Sequence, residues 1–354
     1  MIEKVLEIAV YLAFGFLLLL WGLTAYSMFR QKQFVLKKAK IKLLFAQLIS
    51  EHLYDEVSKT HFIEIQRLLQ KEKVVESRPK NVQYLIDLMI DVENYFAGSQ
   101  QEKIVLLYSQ LPPYNVSYKK TLKKDWHIIA RGIRELYEMD QRKYTKYILR
   151  FRNHSNIFVR REAQIGIVVF LGWKSLRFLA YLKYTVSLWQ QIAIVEKLNI
   201  YYPVPNLVEL DKILNQKDIP PSGKEILMRI IRKFDIEEKI DYIIDQLESE
   251  NYDLRETALF CLASLDLNPQ NLERIQTFYE KVPDRFQKRQ ILLLHRGYPV
   301  EEQLVFFKKV LKSNDELHLK TVANILTGTV YEKEVDLLLQ ARKQNLNAPP
   351  NLVL

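Results

Sequence analysis

The sequence predicts an all-α protein, an α-solenoid of stacked two-helix units behind one N-terminal transmembrane helix. Three observations predict it. Residues 8–29, IAVYLAFGFLLLLWGLTAYSMF, run for 22 positions without a formal charge. Downstream, apolar residues recur at helical spacing, while alternating patterns with hairpin turns are missing. Helix openings in that part return at near-even steps.

At 1.5 Å per residue, the apolar segment reaches about 33 Å, enough to cross a hydrocarbon layer of roughly 30 Å. A cleaved signal peptide has a basic start and a small-x-small cleavage site, whereas this start carries Glu3, Lys4 and Glu7. The segment therefore reads as an uncleaved anchor. Trp21 and Tyr26 sit toward its end, where aromatic rings prefer the interface. Arg30, Lys32, Lys37, Lys38, Lys40 and Lys42 follow with no acid before Glu51. The positive-inside rule then leaves the N-terminus outside and the remainder in the cytoplasm, the layout of a single-pass protein of the inner (plasma) membrane. The same six bases form a membrane-proximal patch within reach of anionic lipid headgroups. Ile165–Trp173 is apolar for nine residues before Lys174, too short to span, and reads as a core helix. One crossing is expected.

Residues 30–118 read as basic juxtamembrane and capping helices, broken near Arg78-Pro79 and Pro112-Pro113. Residues 119–345 are periodic. Ile236, Ile240, Ile243, Ile244 and Leu247 form one stripe, which Val300, Leu304, Phe307 and Leu311 repeat 64 residues later. Ser222 with Glu225, Asp253 with Glu256, and Ser313 with Glu316 have capping-box spacing. Val159 to Ala163, Leu254 to Ala258 and Leu319 to Ala323 share one pattern, Val or Leu, then Arg or Lys, then two free positions and Ala. With weaker openings near Leu188, Gly223 and Phe286, the steps are 29, 35, 31, 32 and 33 residues. Each step has room for two helices and two turns, and such a unit exposes an apolar stripe that only a neighbour can cover. Arg160, Arg255 and Lys320 then recur at one place in successive layers, suited to bonding turn carbonyls. Residues 346–354, with Pro349-Pro350, read as a flexible tail.

These openings, with Asn156, Asp253 and Asp315 in the turns before them, resemble HEAT-type repeats in their short, armadillo-like bacterial form across about residues 121–345. The period is shorter than the 40-odd residues of standard HEAT units, and the tetratricopeptide and ankyrin signatures are absent. The resemblance implies a right-handed α-solenoid acting as a protein-binding scaffold. It also implies a partner class, since similar single-pass bacterial proteins accompany membrane glycosyltransferases that make surface polysaccharide.

Charge is unevenly placed. Of the net +10, nearly all falls in residues 119–161, which hold 13 bases and 4 acids. Such a run is either a solvated face or a docking face. As a docking face for a membrane-associated protein it would act through Arg131, Arg134, Arg142, Lys143, Lys146, Arg150 and Arg152. With Trp126, Trp173 and Trp189 nearby, it could instead serve a nucleic-acid-binding protein or a DNA glycosylase-like enzyme, which the anchor argues against.

Catalytic signatures are lacking. No two of the nine glycines lie two residues apart, so a G-x-G phosphate turn is absent, as are G-x-S-x-G and the P-loop. The six histidines show no paired metal-ligand spacing. The single Cys261 lies in an apolar stretch, reads as a core residue and excludes an intramolecular disulfide. No cofactor, metal or small-molecule substrate is evident, and a non-enzymatic adaptor is the expected role.

Overall fold

The computed structural model describes residues 2–54, 59–75, 77–96, 98–110, 112–313, 315–333, 335–337 and 340. All regular elements among them are helical. The expected tail at 346–354 and the end of the expected array at 341–345 lie outside the described residues. The chain divides into two compact units, Met1–Phe170 and Leu171–Leu354.

The first unit opens on α1, an unbroken helix over Ile2–Tyr54. Side chains 11–33 are all exposed, including Leu17, Leu18, Trp21 and Phe29. From Phe34 onward burial appears at Phe34, Lys37, Lys38, Ile41, Phe45, Leu48 and Ile49, the spacing of one helix face. The helix thus changes from apolar all round to amphipathic just after Arg30. Ile41, Phe45 and Leu48 join Val82, Leu85, Ile86 and Met89 of α3 (Pro79–Glu93) and Ile104 and Leu107 of α4 (Ser99–Gln110) in one core. Burying each such side chain stabilises by about 1.5–3 kcal/mol. Between α1 and α3 lies α2 (Lys59–Lys71), closed by Lys73 at φ +57°, whose successor Val74 donates its N–H to the Leu69 carbonyl at 2.8 Å. That six-to-one bond is a Schellman cap without glycine.

Next come α5 (Pro112–Thr121) and α6 (Trp126–Glu138), in close contact because α6 carries Gly132 at the crossing. A Cβ at Gly132 would lie 2.8 Å from both Lys120 Cβ and the Ser117 carbonyl oxygen. After α6 the chain makes a 3-10 turn at Arg142–Tyr144, the short α7 (Thr145–Ile148) and a second 3-10 turn at Leu149–Phe151. The last helix is α8 (Ile157–Leu171), whose side chains from Ala163 to Phe170 are all buried.

The second unit begins with a 3-10 run at Gly172–Tyr181; Gly172, at φ +55°, ends α8. It continues with α9 (Leu188–Tyr201), α10 (Leu207–Leu214), α11 (Pro221–Lys233), α12 (Ile240–Asp245), α13 (Tyr252–Leu262), α14 (Pro269–Lys281), α15 (Arg285–Leu294), α16 (Val300–Leu311) and α17 (Glu316–Leu326). Within it α9 packs on α11, α11 on α13, α13 on α15 and α15 on α17, while α10 packs on the 3-10 run and α12 on α14. A polar seam links the helix starts. Gln287 Nε2 donates to the Tyr252 carbonyl at 3.1 Å, tying α15 to α13, and His318 Nε2 meets the Arg285 carbonyl at 2.9 Å, tying α17 to α15.

The two units share an internal repeat of 95 residues. Helix α6 at 126–138 corresponds to α11 at 221–233, Asp140 at φ +44° to Asp235 at φ +51°, and the start of α8 at 157 to that of α13 at 252. Arg160 Nη1 donates to the carbonyls of His154 and Ser155, and Arg255 Nη1 to those of Ser249 and Glu250, at matching offsets. These two arginines behave as turn locks. Lys320 does not join them; it is exposed and pairs with Glu316 at 2.6 Å.

The expected capping boxes are displaced. Pro220 precedes α11, and buried Ser222 instead accepts the Val186 N–H at 3.1 Å. The cap of α13 is Asn251, accepting from Leu254, and that of α17 is Asp315, accepting from Leu317 and His318. In the last two cases an Asn or Asp two residues from the expected position reaches the orphan amides first.

Buried His295 of the second unit donates from Nδ1 to the Ile291 carbonyl at 2.9 Å, and burial pushes its pKa below the usual histidine value. The unfolded chain then binds this proton better than the folded one. Stability is complete above a pH of about 6.5 and falls below it, by up to about 1.4 kcal/mol per pH unit until the folded pKa is passed. Denaturation at pH 7.5 and 5.5 should show a smaller acid loss in His295→Gln than in the parent chain.

Candidate docking surfaces

Within the basic segment 119–161 one group of bases pairs with acids of its own unit, and another lies over aromatic rings. Lys120, Arg131 and Arg134 meet acids of their own unit. Glu135 on α6 is 2% exposed and gathers four donors: Lys120 Nζ at 2.6 and 2.7 Å, Ser117 Oγ at 2.6 Å, Gln83 Nε2 at 2.8 Å and Arg131 Nε at 3.2 Å. Desolvation holds the Lys120 pKa below the usual lysine range, although Glu135 opposes that shift. Arg131 also reaches Asp87 at 3.0 Å, and Arg134 lies 4.0 Å from Glu138. Arg142 pairs with Asp140 at 2.9 Å.

The second group follows on the 3-10 turns and α7. Lys143, Lys146 and Arg150 are exposed, and Arg152 is half-buried with Nη1 donating to the Leu149 carbonyl at 3.2 Å. A rank of aromatic rings underlies them. Tyr144 stacks on Tyr118 at 4.7 Å, Tyr147 meets Tyr118 at 5.9 Å and Phe151 at 5.3 Å, and Phe151 lies 6.0 Å from His154. Lys143 sits over the Tyr144 ring and Arg150 over Tyr147. Cations held on aromatic faces keep their charge while losing side-chain freedom. That composition, tyrosine with arginine, suits an interface anchor. Beyond it, Trp126 stacks on Phe158 at 4.9 Å, and both are about half exposed.

Of the three tryptophans near the basic region, Trp173 is buried edge-on to Phe234 at 4.9 Å, while Trp189 is exposed in the second unit. Most of the rings on the basic segment pack on one another, and Trp126 with Phe158 presents the broadest exposed pair.

Among the six bases that follow the apolar stretch, Arg30 lies over Tyr26, and Lys38 lies 4.9 Å from both the Phe34 and Tyr84 rings. Lys32, Lys40 and Lys42 are exposed and Lys37 is half-buried. Lys73 and Arg78 join this neighbourhood from the turn between α2 and α3, and Lys80 from the first turn of α3. The sequence gives no spacing signal for them, because the turn places them there.

Among the described residues no three His, Cys, Asp or Glu side chains cluster as metal ligands. Cys261 is fully buried, and burial pushes its thiol up to about 11, against nucleophilic use. His318 is satisfied by Tyr279 Oη and the Arg285 carbonyl. The side chains of His52 and His61 lie outside the described residues. No family model matches the chain, and no curated protein matches it.

Proposed function

We propose that this protein is a single-pass membrane scaffold whose helical-repeat part binds a membrane-associated protein at the cytoplasmic face. The observation that carries the reading is α1. Over residues 11–33 its apolar side chains are exposed on every side, yet the same helix continues without a break into a packed, basic unit. A rod of this kind has no protein to cover it, and a bilayer is the solvent that fits its length and circumference. A second apolar stretch, Ile157–Tyr181, is 78% buried and serves as a core element, consistent with one crossing.

The repeat reading is supported by the 95-residue correspondence and by the serial packing of α9, α11, α13, α15 and α17. An α-solenoid of short HEAT-like units presents a broad surface, and capture by area and charge needs no deep pocket. Lys143, Lys146, Arg150 and Arg152 over their aromatic rank form the docking face, with a surface-polysaccharide glycosyltransferase of a bacterial membrane as the partner class the repeat resemblance implies.

A photo-reactive residue at Lys146 or Arg150, irradiated in intact membranes, is expected to give a discrete protein adduct. Its yield should fall when the three of Lys143, Lys146, Arg150 and Arg152 that do not carry the probe are changed to Gln while helicity stays constant. Adducts to lipid alone would reduce the protein to a structural element; a yield indifferent to the three changes would move the docking face elsewhere.

A further inference from the structure

The bases after the span do more than mark topology. Residues from Tyr26 to Leu43 of α1 and from Glu72 to Asn81 around the α2–α3 turn line a single open groove of about 1430 Å³. Its charged residues are Arg30, Lys37 and Lys40 from α1, Lys73 and Arg78 from the turn and Lys80 from the start of α3, against Glu72 alone. Lys37 is half-buried, and its pKa is lowered by burial first and then by Lys73 and Arg78, with Glu72 opposing. Like charges have been brought together here faster than the chain supplies acids to neutralise them. Like charges held this close lower their mutual repulsion when an anion enters.

The position of the groove names the anion. Tyr26 and Ser27 at its upper end belong to the exposed apolar helix, and the bases begin three residues later. In the anchored orientation the groove therefore opens at headgroup depth, with apolar Leu36 and Leu43 beside the cations. A site of this composition accepts a phosphate with an acyl chain attached, whereas a free phosphate gains nothing from the apolar wall.

We infer that this groove is a binding site for the phosphate headgroup of an anionic phospholipid of the cytoplasmic leaflet, clamped between α1 and the α2–α3 turn. The inference rests on the anchor reading, and it assigns Lys73, Arg78 and Lys80 a role that the linear sequence does not show. They lie outside the anchor helix, so they can be changed without touching insertion.

The test uses the full chain in nanodiscs of equimolar phosphatidylglycerol and phosphatidylcholine, with retained lipids read by native mass spectrometry. The parent chain should retain phosphatidylglycerol in excess. Each of K73Q, R78Q and K80Q should lower that excess roughly fivefold, given about 1 kcal/mol per base near an anionic surface, and the triple change should bring it to parity. Circular dichroism checks that the triple variant stays folded. Equal retention of both lipids by the parent, or an excess that survives the triple change, overturns the site. Displacement of the lipid by low-millimolar inorganic phosphate would reassign the groove to a soluble anion and overturn the lipid assignment. Carbonate extraction of the membranes from which the chain is purified separates the two claims: a chain released from them defeats the anchor, while a retained chain without lipid preference defeats only the groove.

Discussion

Replacing Leu17 and Leu20 with arginine is expected to move the chain from the carbonate-resistant membrane pellet to the soluble fraction or to degradation. The leucines, phenylalanines, Ile8 and Val10 of residues 8–29 together offer about −3 to −7 kcal/mol of apparent insertion free energy. Each Leu→Arg change near the centre of the span adds about 3–4 kcal/mol, so two of them, about 6–8 kcal/mol, cancel or exceed the whole favourable term. Both leucines are exposed and touch no core of the first unit, so the folded part should survive. That separates this experiment from ordinary destabilisation: circular dichroism of the released variant should keep its helix signal. Topology can be read on the parent chain in the same preparation. Protease added to sealed inside-out vesicles should digest the region after Arg30, as six bases on that side require. If the parent chain itself is extracted by carbonate, α1 is not an anchor and the proposed membrane location falls.

Much of this architecture is legible in the amino-acid order, because burial leaves a period. The helix openings expected near Val159, Leu188, Gly223, Leu254, Phe286 and Leu319 fall in the first turns of α8, α9, α11, α13, α15 and α17. The apolar run at Ile165–Trp173 is a buried element, as its length implies. What the order of residues conceals is pairing. Lys120 and Arg131 look like Lys123 and Arg150 in a basic run, yet the fold brings Gln83 and Asp87 to the first two. Arg160 and Lys320 occupy the same motif position, but only Arg160 finds two carbonyls stacked in the turn before it. At α17 the cap is Asp315, and His318 fills the place between helices that a turn lock would serve. The groove bases Lys73, Arg78 and Lys80 are invisible for the same reason. Their proximity to Lys37 comes from the reversal of the chain between α2 and α3, which Lys73 makes by adopting a left-handed conformation without glycine.

The hidden pairing at Glu135 gives the second large effect. Glu135→Ala is expected to destabilise the first unit by about 3–5 kcal/mol, the range for removing one partner of a buried ion pair. The argument rests on what stays behind. Glu135 and Lys120 have side chains only 3% and 15% exposed, and the ammonium's other partner in this cluster is the Gln83 carboxamide oxygen. Without the carboxylate, Lys120 must remain charged in a poorly hydrated place or lose its proton, and Ser117 loses its acceptor as well. For a unit of this size the loss corresponds to a fall in melting temperature on the order of 10 °C. Two controls keep the cause identifiable. Asp87→Asn touches the exposed end of the same cluster, where both side chains are about half exposed, and should cost well under 1 kcal/mol. The double change Lys120→Met with Glu135→Leu removes both charges, and it should recover most of the stability lost in Glu135→Ala, since an apolar pair of similar volume fills the contact without an orphaned charge. A thermal melt in which Glu135→Ala matches the parent chain would show that α5 and α6 are held by the close crossing at Gly132 alone. The ion-pair cluster at Glu135 would then add nothing to stability, and Lys120 with Arg131 would join the bases able to meet a partner.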